Sequence, residues 1–540
     1  MSSITIYPTG VFKVLDVNNL VVGGDWKTFQ DAVNNYDVVN VMGVTDPGLG
    51  ASVPQAWNLG ETETDSRFTG PPVNLPSGLE LRNERGIRLR KNVQVIGDEV
   101  NRPVLLGALL EIGGQNDDTG VFGPHNFSLL PVPPVVLISS LKFKKIPGSS
   151  IIITSCESTE VSHCDFSELF SLRFTSTLNV NVVISNNFTN INKPITISDN
   201  PNPTLTQHPV RNNILVHHCN INGAMHSSVG FPSFRHEGLH LGPTDSNVEI
   251  HHNTIYNFID ACLHLVDLTK SAETPDLNHK VSLFQNTLTM TTARCIRPAT
   301  VRAAVIRAYR SSFVLPEHFL PMAIYSNDIT LDIGTYIGED KFFYVGAISV
   351  ETEYAEIYQN NIVIDGAYIE NGQDLRPTYA VSVNNWLDRS PIVSPIVSHN
   401  TISGNSHYGV LLLARDCFQP SDRFVRWPLG DPETTTDFEG NDWDTSKNLS
   451  VFYNTTLTTI LDPILLMNNL ENLNAIYDYL LDASVANAIV RSSDKEGPAQ
   501  RVLDLTLPGY SASIRFKSEY EHITTTPADY PYPNWSRNLS

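Results

Sequence analysis

Charge is what this 540-residue chain has little of: 17% of its residues are Asp, Glu, Lys or Arg. Ser, Thr and Asn fill the polar positions instead, as suits side chains stacked at close strand spacing, where like charges repel. The charge that is present runs acidic, to a formal net of -21 at pH 7. A phosphate backbone needs a basic footprint, so nucleic acid is excluded as an expected partner and anionic membrane surfaces are disfavoured. No apolar run approaches the ~18–20 residues of a membrane span, so no membrane insertion is expected. Residues 1–17 lack a basic stretch followed by an apolar one, and no secretory signal is read there. The expected location is a virion, or the extracellular space or cell surface. Cys156, Cys164, Cys219, Cys262, Cys295 and Cys417 form no CxxC pair. All six fall in strand-like segments and are expected as buried thiols, not disulfides or ligands. No metal or other cofactor is expected; calcium stays open, with no acidic cluster standing out to support it.

Against these shortages stand 41% apolar residues and a mean hydropathy of -0.13, ample for a core. The chain is long for one compact domain, yet no linker interrupts it. A solenoid escapes that size limit because each repeat touches only its neighbours. A short pattern does recur: apolar-x-x-Asn-x-apolar. It appears as Val183…Asn186…Phe188, Ile250…Asn253…Ile255, Ile324…Asn327…Ile329, Ile357…Asn360…Ile362 and Val397…Asn400…Ile402. A stretched copy is Val281…Asn286…Leu288, and a weaker one is Val451…Asn454…Thr456. Cys164 and Cys219 take the Asn place in two coils. Asn tolerates the left-handed backbone of a tight corner, and its amide reaches the Asn one coil away. Apolar residues with period 2 on both sides fill an interior. From Cys164 to Asn400 the anchors are spaced 22, 33, 34, 33, 41, 33 and 40 residues apart, which suits coils with insertions at their turns.

A second strand follows each anchor: Ile195–Ile197, Leu239–Leu241, Leu263–Leu265, Ile348–Val350, Val381–Val383 and Val410–Leu412. The expected fold is all-β, a right-handed parallel β-helix solenoid over 87–456. On these repeats the chain resembles the pectin-lyase-like β-helix superfamily, which includes pectate lyases, polygalacturonases and viral tailspikes. The resemblance implies a polysaccharide or glycan partner and, in the tailspike form, a homotrimer. Residues 1–86 are expected as a cap, with Phe29, Ala32, Val33 and Tyr36 on one face of a helix that Asp25 caps ahead of a first strand at 38–41. Residues 457–540 are expected as a helix and tail, the helix starting at Asp462-Pro463 with Leu466, Leu470, Leu473, Ile476 and Leu480 on one stripe.

The distance from anchor to the outward residue of the second strand suggests where a site lies. It is 10 or 11 residues in the coils of Asn186, Asn253, Asn286 and Asn400, and 21 or 22 in those of Cys219, Asn327 and Asn360. Insertions at 222–237, 332–346 and 366–379 would then wall a groove floored by the bare coils of Asn253 and Asn286. Its catalytic candidates are Glu237, Asp260, His264, Asp267, Arg297 and Glu351, with His240 and Arg294 binding substrate. His240, His264 and Arg297 would share one outward column. Glycoside hydrolysis needs two carboxyls about 5–5.5 Å or about 6.5–9.5 Å apart. Elimination on a uronate needs a base for the C5 proton and a cation for the carboxylate, which His264 with Arg297 would supply. A second outward column, His217, His251, Phe284, Tyr325 and Tyr358, would offer rings to sugar faces. The same residues serve equally as an ordinary solvated or packing face.

His236-Glu237-Gly238-Leu239-His240 matches the zinc-protease string HExxH. That chemistry needs a helix, and Leu239–Leu241 aligns with strands of the other coils; on a strand, residues four apart lie about 13 Å from each other. Two functions stay open: a carbohydrate-active β-helix, hydrolase or lyase, and a non-catalytic structural or adhesive subunit.

Overall fold

In the computed structural model the described residues are 1–9, 14–15, 21–22, 25–59, 87–107, 110–113, 132–144, 151–153, 156–167, 172–174, 180–191, 194–197, 213–223, 237–241, 247–258 and 260–266. They continue at 281–291, 302–309, 322–332, 344–351, 355–365, 369–370, 373–374, 378–385, 392–414, 460–470, 472–481, 485–491, 501–504, 513–515 and 522–524. The chain divides into two compact units, residues 1–224 with 237–255, and residues 225–236 with 256–540.

The first unit has three faces. Its first face stacks Ser3–Ile6, Val38–Val41, Val93–Gly97, Val135–Ser139, Ser158–Ser162, Val180–Ile184, Asn213–His217 and Asn247–His251, each parallel to the next. The second face stacks Trp57–Asn58, Val104–Leu106, Lys142–Lys144, Asp165–Ser167, Asn187–Ile191 and Asn220–Gly223. The third runs Ile87–Leu89, Leu110–Ile112, Ile151–Ile153, Leu172–Phe174, Ile195–Ile197 and Glu237–Leu241. The chain visits the faces in turn and comes back one strand further on. That is a parallel β-helix. Phe143, Phe166 and Phe188 show the register inside it, stacked at 4.9 and 4.8 Å with planes 6° apart.

The second unit repeats the plan. Its first face holds Val281–Phe284, Met322–Tyr325, Ala355–Tyr358, Ile396–Ser398, Ile464–Leu466, Ile489–Arg491 and Ser513–Arg515. Its second face holds Thr287–Thr291, Asp328–Asp332, Asn361–Asp365 and the start of Thr401–Ala414. Its third face holds Ala261–Val266, Arg302–Tyr309, Tyr344–Val350, Thr378–Asn385, the far half of Thr401–Ala414, Leu473–Leu481, Arg501–Asp504 and His522–Thr524.

The anchoring asparagines sit inside the corner between first and second faces, 0–1% exposed. In the second unit they form a continuous amide ladder. Asn286, Asn327, Asn360 and Asn400 each donate Nδ2–H to Oδ1 of the next, ending on Asn468, over 2.9–3.0 Å. Each also donates its backbone N–H to that same oxygen. In the first unit Cys164 and Cys219 donate their backbone N–H groups to Asn186 and Asn253 at 2.8 and 3.0 Å. One expectation is corrected here. The left-handed residue is not the Asn but the residue before it: His163, Ser185, His218, His252, Gln285, Ser326, Gln359 and His399 have φ between 52° and 55°. The Asn is needed for its amide, not its backbone.

The helix Trp26–Asn35 buries Phe29, Ala32 and Val33, with Phe29 edge-on to Trp57 at 5.5 Å and 87°. Gln30 pins it to the start of the third face, accepting from Arg88 N at 2.8 Å and donating to Arg88 O at 3.1 Å. Asp25 stands at its N-cap but does not cap it. Its buried carboxylate accepts instead from Thr9 N, Thr9 Oγ1 and Asn58 N. The ladder is already running at Ser3–Ile6, ahead of residue 87 and of the helix.

The C-terminal helix is overturned. Where the apolar stripe predicted a helix from Asp462, the described residues form Ile464–Leu466, Leu473–Leu481, Val485–Ala486 and Ile489–Arg491, all strands. Left-handed corners at Asp462, Met467 and Asn487 break any helical path. The weak copy at 451–456 lies outside the described residues.

Candidate functional site

The second strands do form third faces, and they carry most of the candidate residues. In the first unit, Glu237–Leu241 is a strand, which bears out the rejection of a helical zinc motif; His236 lies outside the described residues. Thr196 is the register partner of His240. The Glu237 side chain is fully buried, and its Oε2 lies 2.8 Å from His240 Nδ1, whose side chain is 19% exposed. A buried carboxylate on Nδ1 fixes the tautomer and leaves Nε2 as the basic atom.

In the second unit the register partner of His264 is Arg307, not Arg297, which lies outside the described residues along with Arg294 and Asp267. The strand of that coil is Arg302–Tyr309. From Asn286 to Arg307 is 21 residues, so this coil carries an insertion like that of the Asn327 coil, and the two-coil bare floor is lost. The insertions 224–236, 333–343 and most of 366–377 lie outside the described residues. The column continues from Arg307 to Ser349 and Ser382. Period 2 puts these residues on the side of the sheet away from Leu263, Ile306, Ile348 and Val381, yet they are covered: His264 is 0%, Arg307 9%, Ser349 5% and Ser382 0% exposed. Glu351, Asn384 and Asp260 are buried too. Asn384 Nδ2 donates to Ser349 Oγ and Ser382 Oγ at 3.2 and 3.1 Å. Four of the six catalytic candidates, Glu237, Asp260, His264 and Glu351, are therefore buried groups.

The first faces are different. Phe284, Tyr325 and Tyr358 are partly exposed and stack at 5.0 and 4.9 Å, planes 7° and 1° apart. Centroids that far apart belong to an offset stack, which covers part of each ring with its neighbour and leaves the remainder outward. Burial and the neighbouring Tyr325 and Glu356 raise the Tyr358 phenol, so it stays a neutral donor. In the first unit His217 and His251 stack at 4.9 Å and 10°. Sequence reasoning missed their partners. His218 and His252, exposed at the left-handed corner, stack at 4.9 Å and 2°, and the signal was there in the doubled His-His at each corner. Burial, then the surrounding imidazoles, push His217 down and His251 down to about 4.

The four described cysteines, Cys156, Cys164, Cys219 and Cys262, are buried thiols without a disulfide. Burial raises Cys156 to about 11, raises Cys164 and Cys219 to about 12, and raises Cys262 as well. They are structural, not nucleophilic.

No protein-family model matches the chain, and no curated protein matches it. Among solved structures it is similar to PfbA, a surface adhesin of Streptococcus pneumoniae, at a TM-score of 0.41 and 10% identity, covering 76% of this chain and 91% of that one. The strand pairing itself establishes the fold: the chain is a parallel β-helix.

Proposed function

We propose that this chain is a polysaccharide-binding β-helix of the pectin-lyase-like, tailspike-related kind, acting as an adhesive module that grips its glycan without cutting it. The observation that carries this reading is the ring column Phe284–Tyr325–Tyr358, partly exposed and repeating at coil spacing. A glycan lying along it meets a partly uncovered ring at every step, with the tyrosine hydroxyls as polar contacts at the edges. The burial of Glu237, Asp260, His264 and Glu351 works against cleavage, because a scissile bond must reach its acid and base.

Affinity electrophoresis of the full chain through gels holding a panel of acidic and neutral polysaccharides tests it. Retardation by at least one glycan, lost in Tyr325→Ala/Tyr358→Ala at unchanged melting temperature, is the expected result. Equal retardation of the double variant would remove the column from the reading.

A second reading has its own support in the Glu237–His240 pair. Elimination on a uronate needs a base for the C5 proton, and Nε2 of His240, oriented by Glu237, is a basic atom at a partly exposed side chain. Absorbance of unsaturated products in the same panel, abolished in His240→Ala and Glu237→Gln, would establish that reading and overturn the adhesive one.

A further inference from the structure

The first face of the first unit carries a second constellation, independent of the glycan column. Asn213–His217 and Asn247–His251 pair in parallel register, which sets His217 directly beside His251. Along a strand, successive side chains point to opposite sides. Here the strand ends at a corner whose next residue is left-handed, at φ 54° for His218 and 53° for His252. That turn swings the second imidazole of each pair round to meet the first. His217 Nδ1 and His218 Nδ1 lie 2.8 Å apart, and His251 Nδ1 and His252 Nδ1 repeat the same 2.8 Å one coil on. The rings are edge-on within each pair, at 78° and 81°.

We propose that each pair, His217–His218 and His251–His252, is a two-nitrogen clamp for a divalent transition ion of the square-planar or tetragonal class, copper(II) or nickel(II). The argument is one of bite. Imidazole nitrogens bind such ions at about 2.0–2.1 Å, so two nitrogens at a right angle stand about 2.9 Å apart and two at the tetrahedral angle about 3.3 Å apart. The observed 2.8 Å fits the right angle. Without an ion, one imidazole of a pair donates its Nδ1–H to the other. With both rings protonated, two N–H groups would face each other and repel. Imidazole must be neutral to ligate, so ion binding competes with protonation and weakens as the pH falls. The coil spacing of 4.9 Å puts the two clamps close enough for one bound ion to repel the next. The first ion therefore binds more tightly than the second. Water completes each coordination sphere on the exposed side, where His218 and His252 stand.

The test is calorimetric titration of the full chain with copper(II) and nickel(II) at pH 7, with electron paramagnetic resonance of the copper complex. Saturable binding of one to two ions per chain, unequal in strength, with a tetragonal spectrum split by imidazole nitrogen, is expected. His218→Asn/His252→Asn removes one nitrogen from each clamp while keeping a residue that tolerates the left-handed corner, and it should weaken copper binding at least tenfold. Circular dichroism of the apo variant checks its fold. Should the variant not fold, carbethoxylation of the wild-type chain read by mass spectrometry replaces it, with copper expected to protect these four histidines. No binding of either ion, unchanged binding in the folded variant, or no protection of the four histidines overturns the proposal.

Discussion

Two strips of the second unit obey the same rule and end in opposite environments. On its first face, Phe284, Tyr325 and Tyr358 occupy outward positions and remain partly exposed. On its third face, His264, Arg307, Ser349 and Ser382 occupy equally outward positions and are buried. The apolar strip is open and the ionisable strip is closed. A β-helix thus has two ways to use an outward column. An open one offers itself to a partner, while a covered one must satisfy its polar groups internally or suffer their desolvation.

The frame that both strips hang on should break most expensively. Asn360 Nδ2 donates to Ile324 O, Tyr358 O and Asn400 Oδ1, while its own Oδ1 accepts from Asn327. Asn360→Ala strands several buried partners at once, at about 1–3 kcal/mol for each one left unsatisfied. A loss of about 4 kcal/mol in urea unfolding is expected, large enough to threaten folding of the unit. A loss below about 1 kcal/mol would mean that the ladder is decoration. Arg307→Ala comes next. Truncating a buried cation costs about 3 kcal/mol, whereas Arg307→Met, which keeps the volume, should cost less. Tyr325→Ala inverts the pattern: about 1 kcal/mol in stability for the lost ring contacts, with glycan retention gone. If Arg307→Ala were silent in unfolding and Tyr325→Ala silent in glycan retention, the open-versus-closed distinction would collapse.

The winding of the chain was legible because one side chain has a job nothing else does as well. A corner amide that donates into one coil and accepts from another leaves an Asn at most corners, with Cys164 and Cys219 the exceptions, and seven described anchors from Asn186 to Asn468 follow it. The left-handed residue before it was not legible. Ser, His and Gln all serve there, since the corner asks only for a tolerated φ. The C-terminal coils were hidden by coincidence. Leu466, Leu470, Leu473, Ile476 and Leu480 fit a helical stripe, while Leu465…Asn468…Leu470 carried the anchor pattern in the same stretch. Arg307 was missed because Cys295-Ile296-Arg297 offered a nearer imitation of a second strand. The candidate site suffered most. Period 2 tells inward from outward, but whether an outward residue is covered depends on residues far away in sequence, which no local pattern reports.

The smallest expected effect lies in the first unit, where the outward column is made of histidines and is only half covered. His251 is depressed to about 4 by burial and by its neighbours His217, His252 and His218, and His217 is depressed for the same kind of reason, partly offset by Glu160. In the unfolded chain these imidazoles titrate near 6.5. Between about pH 6.5 and about pH 4 the unfolded state therefore binds more protons than the folded one, and stability falls as pH drops through that window. Solvent screening of side chains this exposed keeps the effect modest. Urea midpoints at pH 7 and pH 4.5 should differ in that direction, and His217→Gln/His251→Gln should narrow the difference. A double variant with an undiminished pH slope would show that the acid sensitivity lies elsewhere, and that the half-open histidine column behaves like the open ring column and not like the closed one.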